Sequence, residues 1–177
     1  MGDSFFEVAL NSEHGLKQIA ILRDRFGEKC MIGAGTAISV DLAKAAIGAG
    51  AQFLLTPGTP IDVLQYCAKK DIMLLPGVFT PGDVATSLEF GYKTMKLFPA
   101  GCAPKGYLKA LKGPYDEANY IAIGGVTIDN INDYFKEGYM GVGLASNLMP
   151  LSVLKDKNWD LGVSYVQKYV SRVKRRV

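Results

Sequence analysis

Residues 120–146 read YIAIGGVTIDNINDYFKEGYMGVGLAS, and in this stretch strand and helix patterns alternate. The two apolar runs, at 120–125 and 141–146, end in glycine or serine. The segment between them has the spacing of an amphipathic helix that finishes at Gly138. Nearly continuous apolar strands joined through a helix are typical of parallel strands. The stretch therefore predicts an α/β protein with a parallel sheet.

The same alternation extends over most of the chain of 177 residues. Apolar runs recur roughly every 20 to 26 residues, and helical patterns such as PIDVLQYCAKK lie between them. Seven such runs indicate either a (β/α) barrel or a doubly wound sheet. No linker interrupts the pattern, so it predicts one domain over residues 1–177. The runs are FFEVAL (5–10), CMIGAG (30–35), QFLLTPG (52–58), IMLLPG (72–77), TMKLFPA (94–100), YIAIGG (120–125) and GVGLAS (141–146).

Composition and charge exclude several classes of protein. Hydrophobic residues make up 49% of the chain and charged residues 21%, which is typical of a globular domain. A net charge of +3 is too small to indicate nucleic-acid binding, and no apolar run approaches the ~20 residues of a membrane span. The basic residues that end the chain fit a solvated helix end. They are Lys168, Arg172, Lys174, Arg175 and Arg176.

The cysteines and the single histidine limit the chemistry. Cys30, Cys67 and Cys102 are odd in number and have no C-x-x-C spacing, which argues against disulfides and against a cysteine zinc site. His14 is the only histidine, so catalytic triads and histidine-rich metal sites are excluded. The chain start has no signal-peptide pattern. We therefore expect a cytoplasmic protein without a metal.

A charged residue interrupts the apolar run TMKLFPAG (94–101). Strand alternation puts Lys96 on the face opposite Met95 and Leu97, and it puts Glu7 on one face of FFEVAL. The outer face of a barrel strand packs on helices, where a charge is costly, so both charges are expected to point inward. A carboxylate and an amine facing one pocket suit carbonyl chemistry, with the lysine as nucleophile. A structural ion pair inside the barrel is the alternative.

The last two strand ends have the features of a phosphate site. IGGV (123–126) precedes an expected helix start at residues 127–129, and GLASN (143–147) carries Ser146. Barrels often bind phosphate between the loops after their last two strands. A glycine pair in a tight turn also occurs without any ligand. GAGT (33–36) is not a dinucleotide fingerprint, because Ile38 stands where that motif requires glycine.

Seven motifs occur in the order and close to the spacing of one family. They are EVALNS (7–12), IGAGT (32–36), TPG (56–58), LPGV (75–78), MKLFPA (95–100), GYLKALKGP (106–114) and IGGVT (123–127). Through them, residues 3–150 resemble the 2-keto-3-deoxy-6-phosphogluconate (KDPG) aldolases. That family includes a 6-phosphogalactonate branch and the 4-hydroxy-2-oxoglutarate (KHG) aldolases. The E-x-x-L-N-S form is closer to the galactonate branch.

The resemblance implies a TIM-type (β/α) barrel and a class I lyase, active as a homotrimer without a cofactor. Retro-aldol cleavage of a 2-keto-3-deoxy-6-phospho sugar acid would yield pyruvate and glyceraldehyde 3-phosphate, as in Entner-Doudoroff carbohydrate metabolism. By the resemblance, Lys96 forms the Schiff base with pyruvate and Glu7 shuttles protons. Asn11 stands where the gluconate branch has an arginine, and we expect it at the substrate. The other implied site residues are Thr36, Pro57 and Phe98 around pyruvate, and Gly124, Gly125 and Ser146 at the phosphate.

The chain departs from the family pattern at its start. Family members have a strand and a helix before E-V-x-L, so we expect a barrel that is N-terminally short and lacks the first β-α unit. One alternative is a truncated, weakly active or non-catalytic phosphate-binding barrel. Another is a different phosphate-binding barrel enzyme, such as a sugar-phosphate epimerase or a relative of thiamine-phosphate synthase.

A final amphipathic helix is expected around residues 161–173. Its apolar stripe is expected to pack on the barrel, with Trp159 as a packing anchor before the helix. The stripe consists of Val163, Val166, Val170 and Val173.

Overall fold

The computed structural model describes residues 4–174, which form eight short strands and eight α-helices. Arg175 and Arg176 of the predicted basic helix end lie outside the described residues. The strands are β1 (Ser4–Ala9), β2 (Cys30–Gly35), β3 (Phe53–Leu55), β4 (Leu74–Leu75), β5 (Gly77–Val78), β6 (Thr94–Leu97), β7 (Asn119–Ile123) and β8 (Gly141–Gly143). The helices are α1 (Gly15–Phe26), α2 (Val40–Gly48), α3 (Ile61–Lys69), α4 (Pro81–Glu89), α5 (Tyr107–Lys112), α6 (Ile131–Glu137), α7 (Leu151–Lys155) and α8 (Trp159–Lys174). The chain divides into two compact units, with the boundary between Lys96 and Leu97.

In the first unit, four parallel strands form a sheet in the order β1-β2-β3-β4. The register aligns Glu7 with Gly33 and Ala9 with Gly35. Ile32 and Leu54, from neighbouring strands, are fully buried with Ile19 of α1 in one apolar core. This arrangement confirms the parallel strands that the near-continuous apolar runs predict.

Two helices of this unit, α2 and α4, begin at residues whose side chains cap them. The Ser39 hydroxyl accepts a hydrogen bond of 3.2 Å from the backbone N–H of Leu42, at the start of α2. At α4, the Thr80 hydroxyl caps the Asp83 N–H, and the Asp83 carboxylate accepts from the Thr80 N–H at 2.7 Å. Pro81 occupies the first turn of α4. Backbone N–H groups have no partner within the helix there, so the missing N–H of proline costs no helical hydrogen bond. The loops that precede these helices are thereby fixed.

The fourth apolar run differs from its prediction, because it forms two strands. Pro76 separates β4 from β5 and has no N–H to donate to a ladder. Its carbonyl still accepts a hydrogen bond of 2.8 Å from the backbone N–H of Lys96. The chain therefore changes its hydrogen-bonding partner at this proline, and the strand count rises from the predicted seven to eight.

In the second unit, β7 and β8 pair in parallel, as residues 120–146 predict. The predicted stripe of α8 is wrong, since Val163 and Val170 are 55% and 43% exposed. Gly162 and Tyr169 are buried instead, so the inward face is displaced by one residue. The absence of a side chain at Gly162 leaves room for Met149 and Val153 of the preceding segment.

Trp159 at the start of α8 is 59% exposed, so its predicted role as a packing anchor is also wrong. No helix within residues 4–174 combines the length and the hydrophobicity that a membrane crossing needs.

Candidate active site

Lys96 lies near the end of β6 and is only 6% exposed. Its neighbours in the strand, Met95 and Leu97, are fully buried. Burial lowers the pKa of the Lys96 amine below its usual value, and the nearby negative charge of Glu7 opposes this effect in part. A larger share of this amine is therefore neutral, and so nucleophilic, than is usual for a lysine.

Glu7 lies on β1, the edge strand of the four-stranded sheet. The residue as a whole is exposed, but its carboxylate packs against Gly35, where an added Cβ would overlap it. Burial raises the pKa of the carboxyl group above its usual value, and the positive charge of Lys96 opposes this effect. The carboxylate and the amine are therefore close enough to act on each other electrostatically.

Thr36 follows β2 directly and adopts a left-handed backbone conformation, with φ of +61°. A β-branched residue rarely adopts this conformation, which costs of order 1–3 kcal/mol and is concentrated at functional sites. The next residue is tied to β3, since the Ala37 N–H donates to the Leu55 carbonyl at 3.1 Å. The half-buried Thr36 side chain is thereby held at the carboxyl end of β2.

Pro57 is half-buried in the turn after β3, and Thr56 fixes that turn. The buried Thr56 hydroxyl donates to the Gly58 carbonyl at 2.6 Å and accepts from the Gly77 N–H at 3.1 Å. A Cβ at Gly77 would collide with the backbone of Thr56 and Pro57. Sequence reasoning missed the positioning role of Thr56, although a polar residue at the end of an apolar run was the available signal.

Asn11 lies in the turn between β1 and α1 and is exposed. The adjacent Ser12 hydroxyl donates to the Ala9 carbonyl at 2.8 Å, which closes this turn. The structure therefore places Asn11 directly after the strand that carries Glu7, but on the surface.

In the second unit, Phe98 contacts the glycine pair that follows β7. Its half-buried ring is 3.1 Å from the position of a Cβ at Gly124. The peptide bond between Phe98 and Pro99 is cis. A Cβ at Gly125 would be 2.8 Å from the Cα of Gly101. Both glycines also have a positive φ, of +85° and +87°, so close approach and backbone conformation each require glycine there.

The predicted helix start after this glycine pair is wrong, because α6 begins at Ile131. Thr127 and Asn130 form a turn before the helix. The Asn130 Oδ1 accepts from the Thr127 N–H at 2.7 Å, and the Thr127 hydroxyl accepts from the Asn130 N–H at 3.3 Å. Asparagine and threonine side chains compete in this way with helical hydrogen bonds, which delays the helix.

Ser146, in the loop after β8, is exposed and lines a cavity of about 420 Å³ with Thr127 and Lys168. The glycines Gly124 and Gly125 do not line this cavity. The two predicted phosphate loops are nevertheless joined, since the Asn147 side chain donates to the Val126 carbonyl at 3.1 Å.

Metal-ligating side chains do not converge within residues 4–174. No group of three or more histidine, cysteine, aspartate or glutamate residues lies together there. The thiols of Cys30, Cys67 and Cys102 are free.

Comparison with protein families and curated sequences finds matches over almost the whole chain. A family model described as "Aldolase: KDPG and KHG aldolase" matches residues 1–164. The 2-dehydro-3-deoxy-6-phosphogalactonate aldolase of Escherichia coli K12 is 31% identical over 165 residues, which cover 92% of this chain and 80% of that protein. The 2-dehydro-3-deoxy-phosphogluconate aldolase of Pseudomonas aeruginosa is 32% identical over 160 residues, covering 89% and 72%.

Solved structures match equally well. A KDPG aldolase from Legionella pneumophila, with pyruvate captured as a covalent carbinolamine intermediate, has a TM-score of 0.85 at 29% identity and covers 92% of this chain and 79% of its own. A native KDPGal structure has a TM-score of 0.83 at 29% identity, with coverage of 98% and 84%. A designed cage made by fusing symmetric oligomeric domains has a TM-score of 0.84 at 28% identity, with coverage of 99% and 65%. The fold class is therefore α/β, of the TIM-type (β/α) barrel. The family resemblance implies this barrel, whereas the strand and helix pattern alone leaves a doubly wound sheet open.

Proposed function

This chain belongs to the KDPG and KHG aldolase family, and we propose that it cleaves a 2-keto-3-deoxy-6-phospho sugar acid into pyruvate and glyceraldehyde 3-phosphate. Membership in the family makes it an aldolase, an enzyme that breaks a carbon–carbon bond. The substrate, the roles of individual residues and the assembly below belong to the proposal.

Burial of Lys96 is the observation that carries the proposal. An amine must be neutral to attack a carbonyl, and the lowered pKa of Lys96 favours its neutral form. Nothing about strand stability requires a lysine between two fully buried apolar residues, whereas Schiff-base chemistry does require one.

The chemistry begins when Lys96 Nζ adds to the C2 carbonyl of the substrate. The resulting carbinolamine loses water and becomes an iminium ion, which is an electron sink. Cleavage of the C3–C4 bond then sends its electron pair into the iminium group and forms a neutral enamine. Protonation of the enamine at C3 and hydrolysis of the iminium ion release pyruvate and restore the amine.

Glu7 supports this sequence as the group that moves protons. Its carboxylate accepts the proton of the C4 hydroxyl, directly or through water, as the aldehyde product forms. Its raised pKa lets it hold that proton and return it to the enamine carbon. The electrostatic coupling between Glu7 and Lys96 supports these roles, because it requires the two groups to lie near one another.

The remaining predicted residues are assigned to binding. Thr36 and Pro57 would hold the pyruvate part of the substrate with Phe98, and Asn11 would contact its polar chain. Gly124, Gly125 and Ser146 would bind the phosphate through backbone N–H groups and a hydroxyl. Among the described residues, the N–H groups of Gly125 and Val126 donate no hydrogen bond, which leaves them available to an anion.

The proposed setting is that of a cytoplasmic enzyme in an Entner-Doudoroff type of carbohydrate metabolism. Residues 1–177 would form one barrel domain that assembles into a homotrimer. The matched cage of fused symmetric oligomeric domains and the exposed apolar side chains of Leu151 and Trp159 support an oligomer.

The proposal is tested by reducing the protein with borohydride in the presence of pyruvate, followed by intact mass and peptide mapping. We expect a pyruvate-sized adduct on Lys96 in the wild-type protein and none in Lys96→Met. Lys69→Met, at an exposed lysine of α3, is the matched control and should form the adduct normally. A folded wild-type protein without an adduct would overturn the proposal.

The substrate is tested separately with the two C4 epimers, 2-keto-3-deoxy-6-phosphogluconate and its galactonate counterpart. Release of glyceraldehyde 3-phosphate from either identifies the proposed reaction. An adduct with pyruvate but no cleavage of either epimer would keep the Schiff-base site and overturn the proposed substrate class.

A further inference from the structure

Three successive carbonyl groups in the loop after β7 each accept a hydrogen bond. The Gly124 carbonyl accepts from the Gly101 N–H at 2.8 Å, and the Gly125 carbonyl accepts from the Asn130 side chain at 2.9 Å. The Val126 carbonyl accepts from the Asn147 side chain at 3.1 Å. The peptide planes of this loop are therefore fixed one after another.

Fixed carbonyls also fix the amide hydrogens of the loop. In a trans peptide the C=O and N–H groups point in opposite directions. The bond to the Gly124 carbonyl therefore sets the direction of the Gly125 N–H, and the bond to the Gly125 carbonyl sets that of the Val126 N–H. Neither of these two N–H groups donates a hydrogen bond among the described residues. The loop presents prearranged donors to an anion.

Asn130 holds this loop from the helix side. Its Oδ1 accepts from the Thr127 N–H while its Nδ2 donates to the Gly125 carbonyl, so one amide closes the whole turn. An aspartate would keep the first bond and lose the second.

Asn147, the residue after Ser146, holds the loop after β7 from the other side. The Tyr169 hydroxyl donates to the Asn147 backbone carbonyl at 2.7 Å. Tyr169 lies on α8 and is only 6% exposed, so its ring is held by packing while its hydroxyl points to this carbonyl. A chain of two hydrogen bonds thus connects helix α8 with the loop after β8 and then with the loop after β7.

We infer that Asn147 and Tyr169 are positioning residues that set the affinity for the phosphate group of the substrate. They act through the Val126 carbonyl, which anchors the peptide that directly follows the free Val126 N–H, and through the backbone beside Ser146. The inference deepens the proposed function and rests on it, because it assigns to α8 a part in recognising a phosphorylated substrate.

The experiment measures binding of inorganic phosphate by calorimetry, and kcat and KM for the cleaved epimer, in wild type, Asn147→Ala and Tyr169→Phe. A lost hydrogen bond of this kind should weaken phosphate binding and raise KM about three- to tenfold. We expect kcat within about twofold of wild type, because the lost hydrogen bonds serve binding of the phosphate group and not cleavage of the carbon–carbon bond. The yield of the pyruvate adduct should be unchanged, since pyruvate has no phosphate.

Two matched controls carry the same chemical changes elsewhere in the second unit. Tyr115→Phe removes a hydroxyl from the segment between α5 and β7, and no described residue hydrogen-bonds that hydroxyl. Asn119→Ala removes an exposed amide at the opposite end of β7 from the glycine pair. Both controls should bind phosphate as the wild type does.

The outcomes separate this inference from the proposed function. A wild-type protein that forms the adduct, with phosphate binding and KM unchanged in both variants, overturns the inference alone. A wild-type protein that binds no inorganic phosphate also overturns it. If adduct yield and phosphate binding fell equally in Asn147→Ala and Tyr169→Phe, the two residues would have a general structural role, and the inference would also be overturned. Failure of the wild type to form the adduct overturns the proposed function instead.

Discussion

The Glu7 carboxylate and the Lys96 amine each oppose the effect that burial has on the other's pKa. Burial lowers the pKa of Lys96 and raises that of Glu7, and the attraction between the two charges works in the reverse direction for both. Because burial is the larger effect in each case, the two pKa values move toward each other. This convergence suits a site where one group must be a neutral amine and the other must exchange protons.

Glu7→Gln should have opposite effects on Schiff-base formation by Lys96 and on cleavage of the sugar acid. Loss of the negative charge removes the effect that raises the pKa of Lys96, so that pKa falls further and more amine is neutral at a given pH. We expect the pH profile of pyruvate adduct formation to shift its acid limb to lower pH. Turnover of the sugar acid should fall by roughly 10²- to 10⁴-fold, because the proton acceptor is lost.

The measurement compares adduct formation and turnover across pH in Glu7→Gln, with Glu13→Gln as the control. Glu13 is an exposed glutamate in the turn after β1, and its substitution should leave both profiles in place. An acid limb that stays where it is in Glu7→Gln would contradict the electrostatic coupling.

Lys96→Met should change how stability depends on pH. The folded state lowers the pKa of Lys96, so between that lowered value and the usual one near 10.5 the unfolded state binds more protons. The free energy of unfolding of the wild type therefore rises with pH through this window. Below the window Lys96 is charged in the folded state, and the full destabilisation from burying that charge is present. The variant should lose this gain, whereas Lys69→Met should keep it.

Glu7 contributes with the opposite sign. Because the folded state raises the pKa of Glu7, the protonated carboxyl group stabilises the fold. This stabilisation is complete below the usual pKa of 4.5 and is lost as pH rises through the pKa of the folded state. In Lys96→Met, the pKa of Glu7 should rise further, so this loss should extend to higher pH. Urea unfolding at a series of pH values tests both effects, and identical pH dependence in variant and wild type would contradict them.

The sequence predicts most of the first unit because its signals are local. Apolar runs ending in glycine or proline predict the parallel strands, and helical patterns such as PIDVLQYCAKK predict the helices between them. Lys96 could be singled out because a charge inside an apolar strand is rare, and alternation along the strands put Glu7 and Lys96 on faces from which they could interact.

The errors arise where side-chain contacts decide between two acceptable local patterns. Four valines and the alternative face with Gly162 and Tyr169 both fit a helix stripe, and packing against Met149 selects the second. The late start of α6 depends on side-chain hydrogen bonds of Asn130, which competes with a helical pattern that begins earlier. Thr56 stands out in the sequence as a polar residue at the end of an apolar run, but its partner Gly77 lies 21 residues away and could not be predicted from the local pattern.

Gly35→Ala should reproduce the effect of losing Glu7 without a large loss of stability. A Cβ at Gly35 would overlap the Glu7 carboxylate, which is the mobile end of a side chain and can turn away. We expect a fall in turnover comparable to that in Glu7→Gln and a change in unfolding free energy below about 1 kcal/mol. The double variant should be no slower than Glu7→Gln, because both changes remove one interaction.

Gly48→Ala is the control for adding a methyl group, since no atom lies within 4 Å of a Cβ there. It lies at the end of α2 and should be neutral or stabilising by up to about 1 kcal/mol. Normal turnover in Gly35→Ala would contradict the role assigned to the position of the carboxylate.

Thr36→Gly should raise stability and lower the affinity for pyruvate. The φ of +61° strains a threonine but not a glycine, so the variant should gain roughly 1 kcal/mol in unfolding free energy. Loss of the side chain should raise the pyruvate concentration needed for half-maximal adduct formation. Lys157→Gly, at a φ of +52°, is the control that should stabilise without affecting pyruvate. Unchanged pyruvate dependence in Thr36→Gly would contradict its assigned binding role.

Tyr120→Phe should stabilise the second unit. Tyr120 lies in β7 and is 1% exposed, burial raises its pKa to about 12, and its hydroxyl has no hydrogen-bond partner among the described residues. A buried unsatisfied hydroxyl costs about 1–3 kcal/mol, so its removal should raise the unfolding free energy by roughly 1 kcal/mol. Tyr169→Phe removes a hydroxyl that donates to Asn147 and should lower the unfolding free energy by a similar amount. Urea unfolding of both variants gives the two signs directly, and a destabilised Tyr120→Phe would show that its hydroxyl is hydrogen-bonded in solution.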